Sequence, residues 1–387
     1  MTRSSWLDHS VADSVTCLMV FVVTVMSTMG YENDDAMYKL AVVLCTLIQV
    51  FHAGDAKWSS RDIFLSMIIL AGGVLSLFIT KTATLLLTAI LLVSSHEVRV
   101  ELLLKSFLSA KVIGLVLLFL FGLIGVFDVT TVEHFKFSVG ETYTRVRING
   151  ASTNVVHLSF ATAVVLLLYF ELGRVRLSHF ILICGFNLVL YYGITRSYMG
   201  LVMTFLVVVA GLLLTYREGF GRVMTRWFGL LLPVCLLFSF ATGLLYTHVG
   251  LMDKLDALMQ GRIYYNHMFL TEYSLTPFGV DASVLHGNLD NSYITVLYKF
   301  GVLPFIALFG FMAHASILLA RKGDARDLLV VGFFMIAGLS ESFYASAAVN
   351  ASLYLVLPYL FDSSVQGNIL GKHAKEDAEC MAPRFLS

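Results

Sequence analysis

The sequence predicts an all-α polytopic integral membrane protein. About twelve transmembrane helices would form one domain over residues 1–361, followed by a polar cytoplasmic tail over 362–387. Three observations carry this expectation. First, the 387 residues are 58% hydrophobic and only 13% charged, with a mean hydropathy of +0.82. Soluble domains carry about 25% charged residues, so a chain this apolar cannot present its surface to water. Second, apolar runs able to cross about 30 Å of hydrocarbon recur from end to end. Third, Lys and Arg gather in alternate connectors. The formal net charge is zero, which removes the global basic bias of a nucleic-acid binder.

The first apolar run, 13–30, follows Arg3. It is long for a signal-peptide core and has no A-x-A site, so it reads as a retained span. Runs at 36–53, 62–80 and 82–96 follow, and Lys81 marks either a turn between the last two or a break in one long element. Further spans are expected at 106–127, 153–171, 178–195, 198–216, 227–247, 292–320, 327–345 and 346–361. Connectors 56–61, 96–105, 173–177, 217–226 and 321–326 fall on one side and, with Arg3, Lys372, Lys375 and Arg384, hold most of the Lys and Arg. By the positive-inside rule that side is cytoplasmic, and so are both termini. The opposite side has an acidic first loop (Glu32, Asp34, Asp35) and two long loops at about 128–152 and 248–291. Long ordered loops between packed spans usually carry function, so the working surface is expected to face outward. The five cysteines, Cys17, Cys45, Cys184, Cys235 and Cys380, have no CxxC or Cys/His ligand spacing and read mostly as small buried hydrophobes.

Four arginines stand out on the outer side. Arg196, in "YYGITRSYMG", separates two apolar spans with almost no loop between them. Arg145 and Arg147 lie in "TYTRVRINGASTN", and Arg262 in "LMQGRIYYNHMF", where residues 251–269 have a helical periodicity suited to lying flat on the membrane surface. A planar guanidinium binds phosphate through two parallel hydrogen bonds and stays charged when partly buried. Outer arginines with very few lysines therefore suit an anionic, phosphorylated, lipid-linked ligand. Lipid-headgroup contact and a snorkelling side chain are the plain alternatives for Arg262 and Arg196.

The segment "HGNLDNSYITVLYKFG" enters an apolar run through His286, Asn288, Asp290, Asn291 and Ser292. Asp290 could simply cap the helix. One cap does not require five polar groups, whereas a site for a hydroxyl-rich ligand does. Tyr264, Tyr265 and Tyr273 could stack on sugar rings or belong to an interfacial aromatic belt. Glu341, in "GLSESFY", is a carboxylate at a membrane edge and so a site candidate. No Walker loop, GxGxxG, HExxH or DxD motif accompanies these residues, and no metal or cofactor is expected.

In order, "RVRINGASTN", "TRSYMG", "GRIYYNHMFL", "LDNSYITVLYKFGVLP" and "GLSES" resemble the Wzy-type polysaccharide repeat-unit polymerases, relatives of the O-antigen ligases, over roughly residues 140–345. The resemblance implies a GT-C-like glycosyltransferase that joins repeats carried on undecaprenyl diphosphate at the outer face of the bacterial inner membrane. Its partners would be the lipid-linked donor and acceptor, the bilayer, and a chain-length regulator and flippase. Arg196 and Arg262 would engage the donor diphosphate. Asp290 stands where the ligases usually carry a histidine, with His286 and Glu341 as the other candidate bases. Arg145, Arg147, Asn154, Tyr264, Tyr265, Asn291 and Tyr293 complete the candidate substrate-binding set. The regularly spaced arginine–glycine repeats of better-known polymerases are not found at Arg147, Arg196 or Arg262. An O-antigen ligase and a lipid-linked oligosaccharide flippase are the alternatives. A flippase needs cations deep within its spans, where only Lys111 and Lys299 lie.

Overall fold

The structure is a computed structural model that describes residues 11–31, 35–52, 58–136, 141–217, 219–286 and 289–361. The expectations placed on Arg3, Glu32, Asp34, 56–57, Asn288 and the tail 362–387 lie outside the described residues. The chain is mostly helical. Among the described residues, seven helical stretches are long and apolar enough to cross a membrane: Ser60–Thr80, Val100–Leu123, Thr153–Glu171, Leu177–Thr195, Tyr198–Tyr216, Phe220–Leu245 and Val302–Lys322. Shorter apolar helices run over Asp13–Thr28, Thr84–Ser94 and Ser352–Phe361.

Helices α1 (Val11–Thr28) and α2 (Ala36–His52) precede α3 (Ser60–Thr80). Helix α3 starts at a capping box in which Ser59 Oγ accepts from the Asp62 amide at 3.1 Å and Asp62 accepts from the Ser59 amide at 3.3 Å. It ends at Lys81, whose φ of 57° reverses the chain into α4 (Thr84–Ser94), and α4 packs back along α3. The ambiguous stretch 62–96 is thus two helices. Helix α4, with 11 residues, is only about 16 Å long.

Helix α5 (Val100–Leu123) packs on α1 and leads into an antiparallel hairpin, β1 (Val129–Lys136) and β2 (Glu141–Ile148), paired from Val129↔Ile148 to Lys136↔Glu141. The hairpin departs from the all-α expectation. Its sequence explains it: Thr142, Thr144, Val146 and Ile148 are β-branched at every second position. Val146 and Ile148 pack with Leu115, Leu118 and Val156, and the period of two sends Arg145 and Arg147 to the other face.

Helix α6 (Thr153–Glu171) is followed by α7 (Leu177–Leu190), which runs into a π-turn at Tyr191–Thr195, and by α8 (Tyr198–Tyr216). Next come α9 (Phe220–Trp227), α10 (Leu231–Leu245), α11 (Leu251–Leu258) and α12 (Arg262–Glu272). The chain closes with α13 (Ser292–Thr295), a second π-turn at Val296–Phe300, α14 (Val302–Lys322), α15 (Ala325–Ala337), α16 (Ser352–Val356) and α17 (Pro358–Phe361). Of the longer helices, α6 and α15 are the most buried and pack on one another, with α8 against both. Helices α3 and α7 are peripheral and expose Phe64, Met67 and Phe78, and Ile181, Leu182 and Phe186. Such an apolar outer surface matches hydrocarbon rather than water.

Three expected spans are built differently. The run 292–320 breaks at Gly301, φ 97°. Residues of the preceding loop enter the break: the Val302 amide donates to Thr276 O at 2.9 Å, the Leu303 amide to Pro277 O at 3.0 Å, and the Val280 amide to Lys299 O at 3.3 Å. The loop thus satisfies N–H groups that the first turn of α14 leaves unpaired. Expected span 327–345 is helical only to Ala337, after which 338–351 runs through buried turns; 346–361 contributes the short helices α16 and α17.

Gly301 is required both by its φ and by space, because a Cβ there would lie 2.6 Å from Phe278 backbone atoms. Gly301→Ala is expected to cost about 1–3 kcal/mol, read as a lower Tm in detergent. Gly310→Ala, in open space on the same helix, is expected to leave Tm unchanged or raise it.

Candidate functional site

Arg262 opens α12. Gln260 and Gly261, with φ of 59° and 85°, turn the chain out of α11. Asp256 Oδ1 then accepts from the amides of Ile263 at 2.7 Å and Tyr264 at 3.0 Å, capping α12 from the preceding helix. The expected single helix through 251–269 is therefore two, and α12 turns Arg262, Ile263, Asn266 and Phe269 inward. The Arg262 side chain is only 5% exposed, which rules out a headgroup contact. Its Nε donates to Ser340 O at 2.7 Å and its Nη1 to Met259 O at 3.1 Å. Its Nη2 donates to Glu341 Oε1 at 3.1 Å and lies 3.4 Å from Asp290 Oδ2.

Both carboxylates are set by the polar residues that begin α13. The helix cap is Asn291 rather than Asp290: its Oδ1 accepts from the amides of Tyr293 at 2.9 Å and Ile294 at 3.2 Å. Its Nδ2 donates to Ser239 Oγ at 2.9 Å and Leu339 O at 3.2 Å. Ser292 donates its amide to Gly338 O at 2.8 Å and its hydroxyl to Glu341 O, and accepts from the amides of Phe343 and Tyr344 at 3.0 and 3.1 Å. Asn291 and Ser292 thereby hold residues 338–344 in place, and Asp290, not needed as a cap, faces Arg262.

One guanidinium therefore meets two carboxylates. Asp290 is 38% exposed and Glu341 14%. Glu341 lies past the end of α15, outside the spanning helices. Burial, reinforced by the neighbouring Asp290, raises it from 4.5 to about 8, against the opposing pull of Arg262 and Arg145. Arg145 is thus within electrostatic reach of Glu341. Strand β2, which carries Arg145 and the exposed Arg147, packs on the π-turn preceding Arg196. Arg196 has a φ of 48°, and its guanidinium stacks over the Tyr192 ring at 5.3 Å.

No protein-family model matches this chain, and no curated protein sequence matches it. The site is therefore read from its own geometry. Tyr264 is exposed and meets Tyr246 and Tyr265 edge to face at 5.8 and 5.4 Å, an accessible aromatic cluster next to Arg262 in sequence. His286 is exposed, and its amide donates to the Tyr273 hydroxyl at 3.0 Å. Asn154 sits half-buried in the first turn of α6. Tyr293 is fully buried and its hydroxyl donates to Met335 O at 2.7 Å, so it serves the core. Both polar atoms of the Asn291 side chain are engaged by protein. Among the described residues, no group of three or more His, Cys, Asp or Glu could hold a metal ion. Sequence reasoning missed Ser239, which sits within an apolar run and anchors Asn291. Its one signal was a hydroxyl where lipid-facing residues would be expected.

Arg262→Met should cost about 3–5 kcal/mol by leaving Glu341 and Asp290 without their cation. The loss should be read as a lower Tm in detergent, with part recovered when Glu341→Gln is added. Because the fold favours protonated Glu341, the stability it contributes is present below pH 4.5 and is lost as pH rises from 4.5 to about 8. Glu341→Gln should flatten that decline, as measured by Tm against pH.

Proposed function

We propose that this protein polymerises undecaprenyl-diphosphate-linked oligosaccharide repeats at the outer face of a bacterial inner membrane. It would act as a metal-independent glycosyltransferase of GT-C-like, twelve-span architecture with both termini in the cytoplasm. The observation that carries this reading is the pairing of a partly exposed carboxylate, Asp290, with the buried guanidinium of Arg262, in a site that also brings in the arginine-bearing strand β2. Together with the sequence resemblance, this arrangement supports transfer between lipid-linked chains.

In this mechanism the acceptor sugar hydroxyl attacks the anomeric carbon of the donor. The anomeric C–O bond breaks, its electron pair leaves with undecaprenyl diphosphate, and the hydroxyl proton passes to Asp290. Arg145, Arg147 and Arg196 stabilise the departing diphosphate, a role that fixed cationic donors perform best where water is scarce. Arg262 acts differently from the first expectation. Its donors are already engaged by Ser340, Met259 and the two carboxylates, so it orients Asp290 and Glu341 rather than clamping phosphate. Tyr264 and Tyr265 offer stacking surfaces to sugars. His286, exposed four residues before Asp290, and Glu341 are the alternative bases.

Asp290→Asn is a clean test, because Asn291 supplies the cap. In a deletion strain complemented with this variant, polymer formation should fall by about 10²–10⁴-fold at unchanged membrane level. Normal polymer would move the base to His286 or Glu341. Single repeats should remain on the outer surface in the deletion strain; repeats inaccessible to external glycosidase would indicate a flippase instead. For topology, Ser283→Cys in a cysteine-free chain should react with an impermeant maleimide in intact cells, whereas Gly323→Cys should react only after lysis.

A further inference from the structure

The mechanism above leaves unused a fully buried histidine, His157, on α6. Its Nε2 lies 2.7 Å from Asn187 Oδ1 and its Nδ1 2.8 Å from Thr195 Oγ1. The Asn187 amide orientation is fixed on its other side, where Nδ2 donates to Leu201 O at 3.2 Å. Oδ1 therefore faces the ring as an acceptor, so Nε2 carries the proton and Nδ1 accepts from the Thr195 hydroxyl. A single imidazole thus joins α6, α7 and the π-turn, while the Asn187 amide extends the link to α8. The ring fits only because α8 presents Gly200 to it: a Cβ there would lie 2.5 Å from His157 Cγ.

Thr195 is the last residue of the π-turn. Its hydroxyl, which gives its one proton to His157, accepts from the Ser197 amide at 3.4 Å. Arg196 follows directly. Its amide donates to Tyr191 O at 2.9 Å, its φ of 48° is sparsely populated for arginine, and its guanidinium rests on the ring of Tyr192 from the same turn. Conformations of this kind persist where the surroundings over-determine them. Here the surroundings are the contacts converging on Thr195, and the shortest of them comes from His157.

We propose that His157, acting through Thr195, is a positioning residue that fixes the π-turn and thereby sets the orientation of Arg196 at the outer face. The consequence for activity rests on the reading of Arg196 as a ligand of the donor diphosphate. Through Asn187 the clamp ties α6 to the regular helix α7, but its other bond is not of that kind. That bond reaches the residue immediately before the arginine, in the irregular turn.

The test uses the full-length protein in nanodiscs, with its five cysteines replaced and a nitroxide attached through Arg196→Cys. Thr195→Val removes the hydroxyl with little change of volume, and Thr195→Ser keeps it. The label should become more mobile with Thr195→Val and with His157→Gln, and stay ordered with Thr195→Ser. In chains that retain Arg196, Thr195→Val should raise the donor KM by about tenfold, the weight of one hydrogen bond, with kcat changed far less. Added to Arg196→Ala, it should have almost no further effect. An unchanged label in Thr195→Val overturns the proposal whatever the activity. A mobile label together with full activity of Arg196→Ala supports the clamp and instead overturns the donor-binding role of Arg196.

Discussion

A backbone amide inside an apolar interior must find a partner within the protein, and this requirement organises the site. Residues 338–351 are buried but not helical, so they cannot satisfy themselves in the way a spanning helix does. Local turns pair part of the segment, as where the Ser346 amide donates to Phe343 O at 2.8 Å, and side chains pair more of it. Asn291 and Ser292 serve 338–344, Thr88 of α4 donates to Ala345 O and accepts from the Ala347 amide, and Asn350 accepts from Ser352. The polar residues that look misplaced at the head of an apolar run are therefore structural partners of a distant turn. Glu341 stands beside Arg262 because that turn is held there.

Arg262 couples this scaffold to the chemistry available at the site. Its bonds to the carbonyls of Ser340 and Met259 fix the guanidinium plane, and the remaining edge faces two carboxylates of unequal exposure. The more buried one is driven towards its protonated form, while the more exposed one is left facing the open side of the site. Burial, which the shared Arg262 opposes, is what drives Glu341 towards its protonated form.

Much of this was legible in the sequence, and what was not has physical reasons. Hydropathy found the seven long apolar helices among the described residues because length and apolar content are local properties. Arg262, Asp290 and Glu341 stood out because charge near hydrocarbon is costly, and the fold brings these three together. The plain alternative of Asp290 as the cap missed by one residue: both are good capping types, and it is Asn291 that accepts from the first amides of α13. Tyr293 looked like a sugar contact because its hydroxyl partner, Met335 O, lies 42 residues away. Residues 338–345 were read as the end of a span because Leu339, Phe343, Tyr344 and Ala345 keep the average apolar although the helix has already stopped. The hairpin was hidden inside a loop whose alternation becomes visible only when the length of each strand is known.

The sequence separations of these contacts imply an order of assembly. The insertion of 276–280 at Gly301 joins neighbouring stretches of chain, and can form as soon as α14 leaves the ribosome. The contacts of Asn291 and Ser292 with 338–344 bridge about 50 residues and wait for α15, and Thr88 reaches Ala345 across 257 residues. Until the last of these close, Arg262 lacks the Ser340 carbonyl and the Glu341 carboxylate, and remains a charge without its full set of partners. The biosynthetic machinery therefore meets a nascent chain whose spanning helices are already in the membrane while its most polar buried centre is still open. Full burial of that arginine has to wait until residues 340 and 341 have been made.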